Sequence, residues 1–241
     1  MLKVQSSKRK QEVSLMKRFS VLLAAAVAIA AFGVKAMAFT PISSPNAAYL
    51  ASTSYIDPSA IADYTNVTSI SDGTMTVSFK TADGSAPWAV NKRTAPSSNW
   101  LTWSQAPDSQ RGASDTLPVF YSNDATALRF VLSSPANIFG FEAEPDPWST
   151  HTMVARFYDA SDNLLGTISR NVSGYAGARL FAASSPTPIA YVVFSSDEDW
   201  AVGAFRYGTL GAPVIPEPGT MALFGTGLLA GLLPLRRRLR A

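Results

Sequence analysis

The residues best suited to chemistry fall into two groups. The first is acidic: Glu142, Glu144 and Asp146 alternate with Ala143 and Pro145, and Asp197-Glu198-Asp199 forms a second cluster. Two facing carboxylates can hydrolyse a glycosidic bond as acid and base. Converging carboxylate oxygens instead suit Ca2+, a hard cation. A solvated sheet edge carries alternating acids too. The second group is aromatic: Trp88, Trp100, Trp103 and Trp148 stand in stretches without clean periodicity. An exposed indole face stacks on sugar C–H groups while nearby acids and amides take the hydroxyls. A loop tryptophan can equally plug a core.

His151 is the single histidine, which excludes a His-rich metal site and disfavours zinc. A Ser-His-Asp relay would have to use His151, and no G-x-S-x-G accompanies it. The chain has no cysteine, so thiol chemistry and disulfides are excluded. These residues are read as a non-enzymatic set, with Ca2+ the only cofactor they admit.

The elements that must position these groups are short strands. Residues 152–158 alternate between two faces, the five polar residues 159–163 form a turn, and 164–170 returns as the second arm of a hairpin. Further strands are predicted at 74–80, 128–132, 137–142, 179–183, 189–195 and 201–207. Gly, Pro, Ser and Asp punctuate them every 8 to 15 positions. The pattern predicts an all-β fold, an antiparallel β-sandwich or jelly roll, over residues 39–213. Pro58 could open a short helix at 59–64. Residues 82–118 read as long loops.

Charge divides the chain into three. Residues 1–38 hold seven Lys/Arg and one acid, and residues 214–241 hold four Arg and one acid. The body between them carries nine Lys/Arg against fifteen Asp/Glu, a net of −6. The overall basic balance therefore belongs to the ends, and nucleic acid is excluded as a partner of the body.

The ends read as addresses. Lys17 and Arg18 precede an apolar run, 19–34, and Ala36-Met37-Ala38 supplies a small-residue cleavage site, the parts of a secretory signal peptide. Met16-Lys17-Arg18 resembles an ordinary start, so 1–15 is read as an over-called start or a long basic leader. At the other end Pro216-Glu217-Pro218 breaks any helix. Residues 219–235 follow without a charge, long enough at 1.5 Å per residue for about 25 Å of transmembrane helix. Arg236, Arg237, Arg238 and Arg240 then act as a stop-transfer cluster.

The order Val214-Ile215-Pro216-Glu217-Pro218-Gly219-Thr220-Met221-Ala222-Leu223, apolar helix and arginines resembles the PEP-CTERM sorting signal. The same tail is also labelled an ice-binding protein C-terminal domain, but Thr74-Met75-Thr76 alone is no ice-binding array. The resemblance implies recognition by an exosortase, a membrane enzyme of Gram-negative bacteria that also make exopolysaccharide. It implies passage through signal peptidase, transient membrane insertion, tail removal and release to the cell surface or exterior. A looser resemblance covers the second half of the body. Asn137-Ile138-Phe139-Gly140-Phe141-Glu142, Phe157-Tyr158-Asp159, Leu164-Leu165-Gly166, Phe181, Pro188-Ile189 and Phe205-Arg206-Tyr207-Gly208 are similar to jelly-roll bodies of such proteins, related in shape to carbohydrate-binding modules. It implies a structural or sugar-binding role in exopolysaccharide. The alternatives are a secreted carbohydrate-active hydrolase and a permanently anchored periplasmic protein.

Overall fold

A computed structural model describes residues 38–96, 100–105, 116–146 and 148–209. The leader through Met37, the sorting residues Pro216, Glu217 and Pro218, the apolar stretch 219–235 and the four terminal arginines lie outside the described residues. Among the described residues no helix is long and apolar enough to cross a membrane.

Two long strands organise the body: β8, Ala127–Pro145, and β11, Arg179–Ser195. They pair antiparallel along most of their length, with Phe181 opposite Phe141 at one end and Phe194 opposite Leu128 at the other. Each is interrupted by an exposed triplet, Ser133-Ser134-Pro135 in one and Pro186-Thr187-Pro188 in the other. Proline has no N–H for the ladder, so pairing fails and the ribbon bends at these points. The register shifts there as well. On either side of the bend the rings meet: Phe130 lies 5.0 Å from Phe141, and Phe181 5.1 Å from Phe194. One hydrogen-bonded antiparallel sheet is thereby folded into two facing layers.

The first layer runs β10-β9-β11-β8-β5-β4. It is built from β4 (Ser69–Ser71), β5 (Thr76–Thr81), β9 (Thr150–Tyr158), β10 (Leu164–Ser173) and the halves of the long pair that end at Ala127 and Ser195. The second layer uses the other halves. There β1 (Thr40–Ile42) flanks β11, and β12 (Trp200–Gly208) flanks β8. Beyond β12 come β7 (Leu117–Tyr121), β6 (Val90–Ala95) and β3 (Asn66–Val67), and β2 (Ser54–Tyr55) borders the far end of β12. Between the layers lie Phe79, Phe120, Phe130, Phe139, Phe141, Phe157, Phe181, Phe194, Phe205 and Trp200, all essentially without solvent contact. Each such side chain contributes about 1.5–3 kcal/mol relative to exposure, enough in sum to hold a body that has no disulfide.

The hairpin of β9 and β10 forms as predicted, Thr167 opposite Arg156 and Ser169 opposite Val154. The segments predicted separately at 128–132 and 137–142 are one bent strand, and so are 179–183 and 189–195. The helix expected at 59–64 does not form. Tyr64 takes a φ of 64° and donates its N–H to the Lys92 carbonyl, while Asp63 pairs with the Lys92 ammonium. Those contacts fix the segment against β6. Among the described residues the one α-helix, α1, occupies Ala47–Ala51 instead, where the Asn46 side chain caps the Tyr49 N–H at 3.0 Å. Residues 82–118 are not continuous loop: β6 and a 3-10 turn at Trp103–Gln105 interrupt them. Polar Asn91, Lys92, Arg93 and Thr94 hid the strand period of β6.

Candidate ligand cleft

Along the second half of β8, Phe139, Phe141 and Ala143 point into the core between the layers. Ile138, Gly140, Glu142 and Glu144 therefore point outward. That outer face is covered twice. At one end α1 sets Tyr49 and Leu50 against Ile138, Leu180 and Ala182. At the other, Trp103 is clamped over Ala95, Leu117, Val119, Ala178, Ala201 and Ala204. A Cβ on Gly203 would stand 2.9 Å from the Pro118 carbonyl, so glycine is what lets β7 run this close under the cap.

The cap seals two carboxyl groups that strand alternation alone would leave in water. Glu142 has no exposure, and the Trp103 indole N–H donates to its Oε2 at 3.1 Å. Glu144 is 1 % exposed. Its Oε1 lies 2.5 Å from the Thr102 hydroxyl, which is also 2.7 Å from the Gly174 carbonyl oxygen. A hydroxyl has one proton to donate, and the Gly174 carbonyl can only accept. Thr102 is the donor in both contacts, its one proton shared between the Glu144 carboxyl and the Gly174 carbonyl. Burial pushes the same carboxyl up to about 8, outweighing the opposing Thr102 hydrogen bond. At neutral pH Glu144 is an uncharged acid, and its Oε2 is buried without a partner.

Above Glu144 opens a cleft of about 230 Å³, walled by Trp100, Thr102, Asp146, Trp148 and Gly174, with Leu101 on the rim. Trp148 is 53 % exposed and meets the 62 % exposed Tyr175 edge-on, ring centroids 5.3 Å apart. Trp100 leans on Tyr121 at 5.7 Å and has a φ of 45°, an uncommon backbone state for so bulky a residue. Its indole nitrogen is buried without a partner. Asp146 is exposed, its carboxyl raised by partial burial and then by the charge of Asp199.

The structure sorts the predicted residues. Trp100, Trp148, Glu144 and Asp146 come together in the cleft. Trp103 is fully buried and presents no face to a ligand. Trp88 is half-buried against the main core, its indole donating to the Ser122 carbonyl at 2.8 Å. Glu142, Glu144 and Asp146 do not converge as a Ca2+ ligand set: the first accepts from Trp103, the second from Thr102, and the third lies on the open side of the cleft next to Asp199. Among the described residues no group of three His, Asp or Glu converges to hold a metal. Sequence reasoning missed Thr102 and Tyr175. Tyr175 sits in the turn Ser173-Gly174-Tyr175-Ala176-Gly177, where an aromatic among small residues was the available signal.

His151 makes a second polar cluster. Its Nε2 lies 2.5 Å from the Ser149 hydroxyl and its Nδ1 3.1 Å from Asp197 Oδ1. The order matches a nucleophile relay. Ser149 is exposed and the Asp197 side chain is 64 % exposed. Water screens such an arrangement, which fastens the start of β9 to the turn between β11 and β12.

Residues 214–238 match the model of the PEP-CTERM protein-sorting motif. The chain carries a PEP-CTERM signal. This PEP-CTERM motif implies exosortase recognition and export through a membrane-anchored precursor. No curated protein shows significant similarity to the chain. Among solved structures, TmCBM61 in complex with β-1,4-galactotriose is similar at 13 % identity and a TM-score of 0.30, covering 56 % of this chain and 89 % of its own. The enzymatically active domain of bacteriophage CBA120 tailspike protein 4 is 18 % identical at a TM-score of 0.29, over 57 % of this chain. The arabinose-bound α-L-arabinofuranosidase MgGH51 is 9 % identical at 0.29, over 72 %. The chain spans about a fifth of the tailspike domain and about a quarter of the arabinofuranosidase. These likenesses are too distant to bear on what the cleft binds.

Proposed function

We propose that the body is a non-enzymatic, carbohydrate-binding β-sandwich of jelly-roll type. It acts at the cell surface or in the exopolysaccharide matrix of a Gram-negative bacterium. The observation that carries this reading is the gathering of exposed apolar groups. Of the five large hydrophobic residues most exposed among the described ones, Leu101 and Trp148 line one cleft and Tyr175 packs edge-on against Trp148 beside it. A monomer scatters such groups unless the patch has a ligand. Polar groups at the floor, Glu144 and Thr102, supply direction. Affinity electrophoresis in polysaccharide gels tests it: Trp148→Ala and Tyr175→Ala, both at exposed positions, are expected to abolish retardation without lowering the melting temperature. Unchanged retardation in both would remove the cleft from consideration.

Export follows the same proposal. The leader, cut after Ala38, passes the chain to the membrane. Residues 219–235 and Arg236, Arg237, Arg238 and Arg240 hold it there until an exosortase acts at Pro216-Glu217-Pro218. Mass spectrometry of the mature protein is expected to find Phe39 at the start and no arginine cluster at the end. A persistent tail would favour the permanently anchored alternative.

One observation favours a hydrolase as the second reading: a neutral Glu144 beside an ionisable Asp146, the pairing that glycosidases use. Release of reducing sugar that disappears in Glu144→Gln would establish it.

A further inference from the structure

We infer that the cleft selects glycans bearing protonated primary amines, an inference that rests on its being a sugar site. Its charge is one-sided. Asp146 lines the cleft, and its N–H donates to the Asp199 carbonyl at 2.7 Å, which brings the two carboxylates into mutual repulsion. Asp199 and Asp124 both lie within hydrogen-bond reach of the Tyr121 hydroxyl, at 2.9 and 2.8 Å. Tyr121 in turn supports Trp100 in the cleft wall. One phenolic proton serves two carboxylates, so negative charge behind the wall is under-compensated.

Among the described residues no Lys or Arg pairs with Asp124, Asp146 or Asp199; the ion pairs there are Lys92–Asp63 and His151–Asp197. Among the described residues none that lines the cleft is cationic. A uronate-bearing glycan would be repelled, and a neutral one would leave the repulsion in place. An ammonium relieves it.

The remaining groups suit the same ligand. Glu144 Oε2, buried and unpartnered at the floor, is a carboxyl oxygen free to take a polar hydrogen from a ligand. The unpartnered Trp100 indole nitrogen offers a donor to a sugar oxygen. Trp148 and Tyr175 present ring faces that attract a cation as well as stack on a pyranose. N-acetylation would remove both the charge and two of the three N–H donors.

Titration calorimetry of the purified protein against glucosamine and N-acetylglucosamine pentamers, at pH 6 and low salt, tests this. The glucosamine pentamer is expected to bind about tenfold more tightly. Asp146→Asn should erase that preference while keeping the weaker binding, and Trp148→Ala should abolish both. An oligogalacturonate should not bind. Equal affinity for the two pentamers, or a preference that survives Asp146→Asn, overturns the amine inference and leaves the sugar site standing. Binding of neither pentamer overturns both. A lysine pentapeptide that binds as well as the glucosamine pentamer would overturn recognition of a glycan.

Discussion

The two faces of β8 between Phe139 and Pro145 are made by the same seven residues and solve opposite problems. The inner face sets Phe139, Phe141 and Ala143 into an aromatic core. The outer face holds Glu142 and Glu144, equally dry, under a cap that begins at Trp100. The inner face is stabilised by area removed from water, which is non-directional and tolerant. The outer face depends on particular protons: one from Trp103 to Glu142 and one from Thr102 to Glu144. Stability is spread across the inner face and concentrated in a few bonds on the outer one, where the ligand cleft opens.

Truncation should separate the two most sharply. Phe141 meets Phe130, Phe139, Phe181, Phe194 and Phe205. Phe141→Ala is expected to cost about 3–5 kcal/mol in urea unfolding. A loss below about 1 kcal/mol would mean that the two layers do not close on this ring. Trp103→Phe keeps an aromatic ring in the cap but deletes the donor to Glu142 and part of the ring's volume, with an expected cost of at least about 1–3 kcal/mol. If that variant matched the parent, packing would explain the outer face as it does the inner.

The pH response should belong to the outer face alone. Burial raises the folded pKa of Glu144 to about 8, against about 4.5 for an ordinary glutamate. Below about pH 4.5 both states are protonated and the contribution is complete. As pH rises from there to about 8 the unfolded chain ionises first, and stability falls by at most about 1.4 kcal/mol per pH unit. Above 8 the loss levels off. Denaturation series at pH 5 and 8 should therefore show Glu144→Gln gaining on the parent as pH rises; parallel curves would mean that Glu144 is not buried as an acid. The smallest effect is reserved for the exposed staple: His151→Ala should cost under about 1 kcal/mol. Ser149 should resist fluorophosphonate labelling, and covalent labelling there would turn the staple into a working nucleophile.

Much of the inner face was legible beforehand. The β9–β10 hairpin follows from alternation and a polar turn, both local. The aromatic strands of β8, β11 and β12 were legible as segments. Their continuity was not, because Pro135, Pro186 and Pro188 look like strand ends in one dimension and act as corners in three. The cleft was half legible. Trp100, Trp148, Glu144 and Asp146 were candidates by residue type, but so were Trp88 and Trp103. Indole chemistry is identical in all four; only long-range packing decides which face stays open. The acids misled for a related reason. An alternating Glu reads as solvated until something covers it, and the cover comes from residues about 40 positions earlier in the chain.

Amino-acid order alone determined the PEP-CTERM address, the acidic body and the β class, because each depends on composition, contiguous motif or local period. Tertiary structure alone decided that Glu144 is buried, that Trp103 is a plug, and that Trp148 opens on the cleft with Tyr175 against it. Burial, proton sharing and ring exposure are properties of neighbours distant in the chain, and no local pattern records them.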